Sequence, residues 1–148
     1  MTKVVYNACY GGFGVSEAAM RRYAELKGFA IHPERDGKYA GLGIVTYWTV
    51  PASERPASFE GDTWSTAAEE QCKAYNEAYS RLTISDRDFV RHDPILVQVV
   101  EELGDKANGR FSALKIAEVP SGVGYRIDEY DGNERVMTSA DYEWTIAP

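Results

Sequence analysis

The sequence is short of the residues from which most metal centres and covalent catalytic sites are built. Its 148 residues include two cysteines, Cys9 and Cys72, and two histidines, His32 and His92. Cysteines this far apart, with no Cys-x-x-Cys or His-x-x-x-His spacing, do not supply a tetrahedral zinc set, so no metal site is predicted. A chain of this length buries roughly 70% of its unfolded surface and folds without a disulfide or a metal.

Long apolar runs and an excess of basic residues are also missing. No stretch approaches the ~20 apolar residues of a membrane-spanning helix, and Met1-Thr2-Lys3 leads into a strand-like run rather than the apolar core of a signal peptide. Lys and Arg number 16 against 23 Asp and Glu, for a net charge of −7. Because an acidic chain repels a phosphate backbone, nucleic-acid binding is not expected. We expect a soluble cytoplasmic protein with reduced cysteines and no membrane partner.

Strand and helix patterns are interleaved and predict a single α+β domain over residues 1–148. Residues 3–8 predict the first strand, and Ser16 is a helix N-cap for a segment that runs to about Lys27 and stops at Gly28. The other predicted elements are a strand at 43–50, a helix from Ser65 or Thr66 to about Leu82, a helix opened by Asp93-Pro94, a strand at 113–119 and a hairpin at 125–137 with its turn at Asp131-Gly132. We expect about three helices on a mixed or antiparallel sheet, with a C-terminal β-hairpin.

Most of the chemical character lies in the glycine-rich turn between the first strand and the first helix, residues 7–16. Glycines take positive φ without a Cβ clash, so their N–H groups can converge on one point, next to the positive end of the helix dipole. The turn lacks the third glycine of G-x-G-x-x-G and the Lys-Ser/Thr pair of a P-loop, which disfavours a dehydrogenase or an NTPase. Backbone amides that hold a phosphate, with Tyr10 or Phe13 stacked on a base, remain as an interpretation. The alternative is a tight structural turn whose aromatic rings only pack.

A small basic cluster, Arg87, Arg91 and His92, precedes the helix start at Asp93-Pro94. A guanidinium group suits bidentate recognition of phosphate, so Arg91 is a candidate counter-charge for the same ligand. In the alternative, the arginines pair with carboxylates such as Asp86 and Asp88. The residues predicted to bind a ligand are Asn7, Tyr10, Gly11, Gly12, Phe13, Gly14, Ser16 and Arg91, and no cofactor is predicted.

Cys9 is the weaker alternative for chemistry at this turn. A thiol near a helix N-terminus has a lowered pKa and becomes a nucleophile when a base such as His92 lies close to it. The fold would have to bring two helix N-termini together for this pair to form. Since cysteine is one of the most buried residue types, an inert packed thiol is the competing interpretation. We therefore expect a binding protein rather than an enzyme.

Three segments resemble a family of small, uncharacterised proteins encoded mainly by bacteriophages and prophages. They are residues 7–16 with the motif NACYGGFG, residues 91–104 with RHDP, and residues 114–120 together with Tyr130-Asp131-Gly132. The resemblance covers both ends of the chain and leaves residues 29–85 unplaced. It implies a viral accessory protein in the host bacterial cytoplasm and no particular reaction.

Accessory phage proteins of this size often act on host defence, and one strategy is to sequester a nucleotide second messenger without cleaving it. The expected function is therefore binding of a small nucleotide-like or phosphorylated ligand. The alternatives are an enzyme that modifies such a ligand through Cys9, and an acidic inhibitor of a host protein. We expect a homo-oligomer, a dimer or larger, because a mixed sheet leaves open strand edges.

Overall fold

A computed structural model describes residues 1–36, 40–57, 65–142 and 144–148. Its contacts divide the chain into two compact units: unit 1 comprises residues 1–27 and 86–148, and unit 2 comprises residues 28–85. The predicted α+β class is confirmed, because the described residues form three α-helices, antiparallel strand pairs and a C-terminal hairpin. That the whole chain acts as one domain stays a prediction.

The helices and strands follow one another in nearly the predicted order. In chain order they are β1 (Thr2–Asn7), α1 (Glu17–Lys27), β2 (His32–Glu34), β3 (Thr46–Trp48), α2 (Thr66–Leu82), β4 (Thr83–Ile84), α3 (Pro94–Leu103), β5 (Leu114–Val119), β6 (Tyr125–Tyr130) and β7 (Asn133–Thr138).

Two antiparallel pairs form the β structure of unit 1. Strand β1 pairs with β5, with Asn7 opposite Leu114 and Thr2 opposite Val119. Strands β6 and β7 form the hairpin, and their turn residues Asp131 and Gly132 both have positive φ, 50° and 83°. Positive φ at both central residues is the signature of the type I′ turn that the Asp-Gly pair predicts.

Helix α3 packs against β1 and β5, and α1 packs against α3, with apolar side chains between them. Ser16 Oγ accepts the Ala19 N–H at 3.1 Å, so Ser16 caps α1 as predicted. Asp93 caps α3 through the Ile95 N–H, with Pro94 in the first turn. The buried residues of the two helices are Ala19, Met20, Ala24, Leu96, Val97, Val99 and Val100. They form the core of unit 1 together with Val4 and Val5 of β1, which are fully buried.

The Asp93 carboxylate also ties α1 to α3. Its Oδ2 accepts the Tyr23 hydroxyl at 2.8 Å and pairs with the Lys27 ammonium at 2.9 Å. Burial by itself pushes the pKa of the Asp93 carboxyl upward, but Lys27, Tyr23 and the Ile95 N–H together hold this pKa below its usual value. The charged carboxylate therefore stabilises the folded state.

We expect this contribution to be complete above pH 4, roughly the pKa of an unfolded Asp, and to disappear as the pH falls through the lower folded-state pKa. Asp93→Asn keeps the N-cap but loses the charge, so its free energy of unfolding should depend less on pH on the acid side. Urea unfolding of both proteins between pH 2 and pH 7 measures the difference. Parallel curves for the two proteins would contradict the assignment.

The described residues of unit 2 form a three-stranded antiparallel sheet in the order β2-β3-β4, and α2 runs directly into β4. Trp48 of β3 is 3% exposed and meets Tyr79 of α2 edge-on, at 5.4 Å between ring centres. The Arg55 guanidinium lies over the Trp48 ring and pairs with Glu34 at 3.1 Å. An aromatic–guanidinium core of this kind anchors a small sheet with few aliphatic residues.

The predicted start of α2 at Ser65 or Thr66 is confirmed: Ser65 caps the helix by accepting the Ala68 N–H at 3.1 Å, and Thr66 is its first residue. The prediction of the strands in unit 2 needs correction. The strand predicted at 43–50 is limited to Thr46–Trp48, and the short strands β2 and β4 were not predicted. Strands of two or three residues leave too short an alternation for the sequence pattern to show.

No helix among the described residues combines the length and the apolar character that crossing a membrane requires.

Candidate functional site

Three turns of unit 1 meet at the C-terminal end of β1, and glycines sit where they touch. We call residues 9–14, 109–112 and 131–132 the loop junction. A Cβ on Gly11 would lie 1.7 Å from the Phe111 carbonyl oxygen, and one on Gly132 would lie 2.5 Å from the Gly12 nitrogen. A Cβ on Gly109 would lie 2.8 Å from the Gly14 carbonyl carbon. These glycines therefore let three backbones approach one another closely.

The buried Asn7 side chain links the parts of the loop junction by hydrogen bonds. It is fully buried, and its Nδ2 donates to the carbonyl oxygens of Cys9 and Gly132, both at 2.7 Å. Its Oδ1 accepts the Ala113 N–H at 2.8 Å and the Cys9 thiol at 3.3 Å. Both amide donors and both acceptor positions of the side chain are thus used within the protein. Asn7, predicted as a ligand contact, is a structural connector of the three turns.

Arg91 and Glu134 form a shielded ion pair beside the junction. Two nearly parallel hydrogen bonds of 2.7 and 2.8 Å join the guanidinium to the carboxylate, and the two side chains are 20% and 7% exposed. The guanidinium lies 3.4 Å from the centre of the Phe13 ring. Glu134 also accepts the backbone N–H of Asn7 at 2.9 Å. Arg91, predicted as a counter-charge for a ligand, forms its ion pair with Glu134.

A carboxylate supplied by the protein itself lies just before the N-cap of α1. Asp86 Oδ2 accepts the Val15 N–H at 3.2 Å. Ser16, predicted as a ligand contact, accepts the Ala19 N–H and donates its hydroxyl to the Lys106 carbonyl at 2.6 Å. Asp86 thus uses one backbone donor of the turn in which the anion site is predicted.

The outer side of the loop junction is different, because it presents aromatic rings to solvent. Tyr10 and Phe111 are each 65% exposed, and Gly11, next to Tyr10 in the chain, lies against the Phe111 backbone. The Arg110 guanidinium lies over the Phe111 ring, 5.1 Å from its centre. We call Tyr10, Arg110 and Phe111 the aromatic surface. Tyr130, 80% exposed, stands two residues before the contact at Gly132.

Sequence reasoning included Tyr10 and missed Arg110, Phe111, Glu134 and Asp86 as parts of this region. The turn Asn108-Gly109-Arg110-Phe111 contains a strong loop signal, since Asn-Gly pairs mark turns. An aromatic residue next to such a turn is a signal that could have singled out Phe111.

Cys9 and His92, the catalytic alternative, have separate hydrogen-bond partners. The Cys9 thiol is directed at Asn7 Oδ1 and at the Phe111 carbonyl oxygen, 3.0 Å away. His92 Nδ1 lies 2.5 Å from the Tyr125 hydroxyl. No hydrogen bond joins the thiol to the imidazole in the described ranges, and the same ranges contain no group of three or more His, Cys, Asp or Glu arranged to hold a metal ion.

Comparison with protein-family models, with curated proteins and with solved structures finds no match to this chain.

Proposed function

We propose that this protein is a phage accessory protein that binds and sequesters a small nucleotide-like ligand without changing it chemically. The observation that carries the proposal is the aromatic surface: two exposed rings and a guanidinium on one rigid junction of turns. The resemblance to phage and prophage proteins supports the viral setting, and with it a location in the host bacterial cytoplasm.

The chemistry of the aromatic surface suits a base joined to a phosphate. Planar rings stack on nucleobases without selecting a particular sequence, and a guanidinium pairs with phosphate oxygens in a planar, bidentate way. Tyr10 and Phe111 supply the rings, and Arg110 supplies the positive charge on a chain that is otherwise acidic. A nucleotide bound here would contact the exposed rings of the loop junction. Asn7, Arg91 and Ser16 would stabilise the junction through their internal contacts and would not touch the ligand.

Rigidity of the junction supports binding rather than turnover. The three turns are fixed by Asn7 and by backbone contacts at Gly11 and Gly132, so little conformational freedom is lost when a ligand binds. Cys9, the nucleophile of the enzyme alternative, is 3.3 Å from the Asn7 amide oxygen, and its hydrogen bonds within the described part of the chain include no histidine. A protein of this kind would release its ligand intact.

The test is mass spectrometry of small molecules released by heat from the protein after incubation with a metabolite extract of phage-infected cells. Calorimetric titration with cyclic di-AMP and ADP-ribose as probes follows. Phe111→Ala should weaken binding about 5–150-fold, the loss of one base stack. Arg110→Gln should weaken binding of the phosphorylated probes. Trp144→Ala, which removes an aromatic ring that is 85% exposed elsewhere, is the matched control and should leave affinity unchanged.

Other outcomes would replace the proposal. A chemically altered nucleotide in the extract would support the enzyme alternative with Cys9. A host protein that co-purifies and dissociates with salt, in the absence of any small ligand, would support the acidic inhibitor. Equal affinity of Phe111→Ala and the unmodified protein would rule out the aromatic surface as the site.

A further inference from the structure

Among the residues that the structure describes, strand β6 has a strand neighbour on one side only. Its sheet consists of β6 and β7, and Tyr130 faces Asn133 across the two-residue turn. Residues that flank such a turn form a hydrogen-bonded pair, so Tyr130, Asp128 and Arg126 direct their backbone groups toward β7. The backbone groups of Tyr125, Ile127 and Glu129 therefore point to the opposite, outer edge.

This outer edge is open. Among the described residues, the backbone N–H groups of Ile127 and Glu129 have no hydrogen-bond partner. An unpaired strand edge is a template for another strand.

On the outer edge of β1, the backbone N–H groups donate to acceptors that do not belong to a neighbouring strand. The Val5 N–H donates to the Arg91 carbonyl at 2.8 Å, and the Asn7 N–H donates to the Glu134 carboxylate. Unit 1 thus satisfies the outward N–H groups of β1 with a loop carbonyl and a side-chain carboxylate. Among the described residues it provides no such acceptors for the outward N–H groups of β6.

We propose that the occupant of the β6 edge is β6 of a second copy, paired antiparallel about a two-fold axis at Ile127. In this register Ile127 faces its own counterpart and Tyr125 faces Glu129 of the second copy. All of these residues carry outward backbone groups, so the ladder forms about six hydrogen bonds. A two-fold axis also makes the contact closed, which gives a dimer and not a fibre.

Charge selects this register over its neighbours. With the axis at Ile127, Arg126 of each copy lies opposite Asp128 of the other, which gives two favourable cross-strand pairs. A shift of the axis to Arg126 would place the two arginines opposite each other, and a shift to Asp128 would oppose the two carboxylates. Arg126 and Asp128 already form a 2.8 Å ion pair within one strand, with side chains 63% and 40% exposed, so both charges are accessible on the same face.

The experiment measures the self-association of the full chain and of two charge-reversal variants by sedimentation. Each single variant, Arg126→Asp or Asp128→Arg, places like charges opposite each other in both cross-strand pairs of the dimer. Each should therefore raise the dimer dissociation constant at least tenfold. An equimolar mixture of the two variants restores opposite charges at both positions and should associate again as a heterodimer. Arg21→Asp, at an exposed position of α1, makes the same charge change as Arg126→Asp and should dimerise like the unmodified chain.

Association of Arg126→Asp equal to that of Arg21→Asp would overturn the proposal, and so would a mixture of folded variants that stays monomeric. Asp128 also accepts the Tyr142 hydroxyl at 3.0 Å, so Asp128→Arg could lose its fold. In that case, hydrogen exchange of the unmodified chain decides. Protection of the Ile127 and Glu129 amides that rises with protein concentration supports the pairing, and protection independent of concentration overturns it.

Discussion

Glu134→Ala is expected to lower the free energy of unfolding by about 3–5 kcal/mol, the cost of leaving a buried charge without its partner. The variant removes the two carboxylate oxygens that accept from the Arg91 guanidinium, and it leaves that group a longer hydrogen bond of 3.4 Å to the Val5 carbonyl oxygen. It also removes the acceptor of the Asn7 N–H. Arg91 cannot move into solvent without leaving the Phe13 ring, on which it lies at 3.4 Å. Urea unfolding followed by circular dichroism measures the loss.

Three further variants identify the cause of this loss. Glu134→Gln keeps an acceptor for Asn7 but loses the charge, so it should destabilise less than Glu134→Ala. A double variant with Arg91→Met and Glu134→Leu removes both charges and should be more stable than Glu134→Ala, because apolar pairs often replace buried ion pairs without loss. Glu118→Ala, at an exposed position of β5, should change stability by no more than about 0.5 kcal/mol. A loss for Glu118→Ala as large as that for Glu134→Ala would contradict the role given to the ion pair.

Gly132→Ala is expected to cost about 2–5 kcal/mol, from two separate effects. Positive φ, here 83°, costs an L-residue roughly 1–2 kcal/mol, and forcing a methyl group into a packed site costs about 1–3 kcal/mol more. The new Cβ would lie 2.5 Å from the Gly12 nitrogen and 2.6 Å from the Tyr10 oxygen, both backbone atoms that cannot rotate away. The variant should also alter the near-ultraviolet dichroism of the exposed tyrosines as the junction opens.

Gly122→Ala separates these two effects. Gly122 has almost the same φ, 84°, but a Cβ there would meet nothing within 4 Å. Its loss should therefore be limited to the conformational part, about 1–2 kcal/mol. Equal losses at the two positions would show that the close approach of the turns contributes nothing to stability.

Local signals allowed much of the secondary structure to be predicted. The N-caps Ser16 and Asp93 and the turn Asp131-Gly132 are set by backbone chemistry within three or four residues, and the structure confirms all of them. Such features depend little on the rest of the chain. The short strands β2 and β4 were missed because their pairing, and not their own pattern, defines them.

The environment of the glycine-rich turn could not be predicted in the same way. Asp86 meets Val15 across 71 residues, and Glu134 meets Arg91 across 43 residues. A carboxylate within a strand of alternating pattern gives no sign of whether it faces solvent or an arginine. Composition identified the turn as unusual. Long-range contacts are needed to tell the buried residues that hold the junction together, such as Asn7, from its solvent-exposed residues, such as Phe111.

The pairing of β1 with β5 has a consequence for the order in which the protein can fold during synthesis. Asn7 faces Leu114, and its side chain and N–H are bound by Gly132 and Glu134. Strand β1 therefore leaves the ribosome roughly 110 residues before its partner, an interval of about 5–20 s at ordinary translation rates. All of unit 2, residues 28–85, is made during that wait. Strand β1 is thus among the last elements to pack into the fold. Its apolar valines stay accessible to solvent and chaperones until the C-terminal turns have been synthesised.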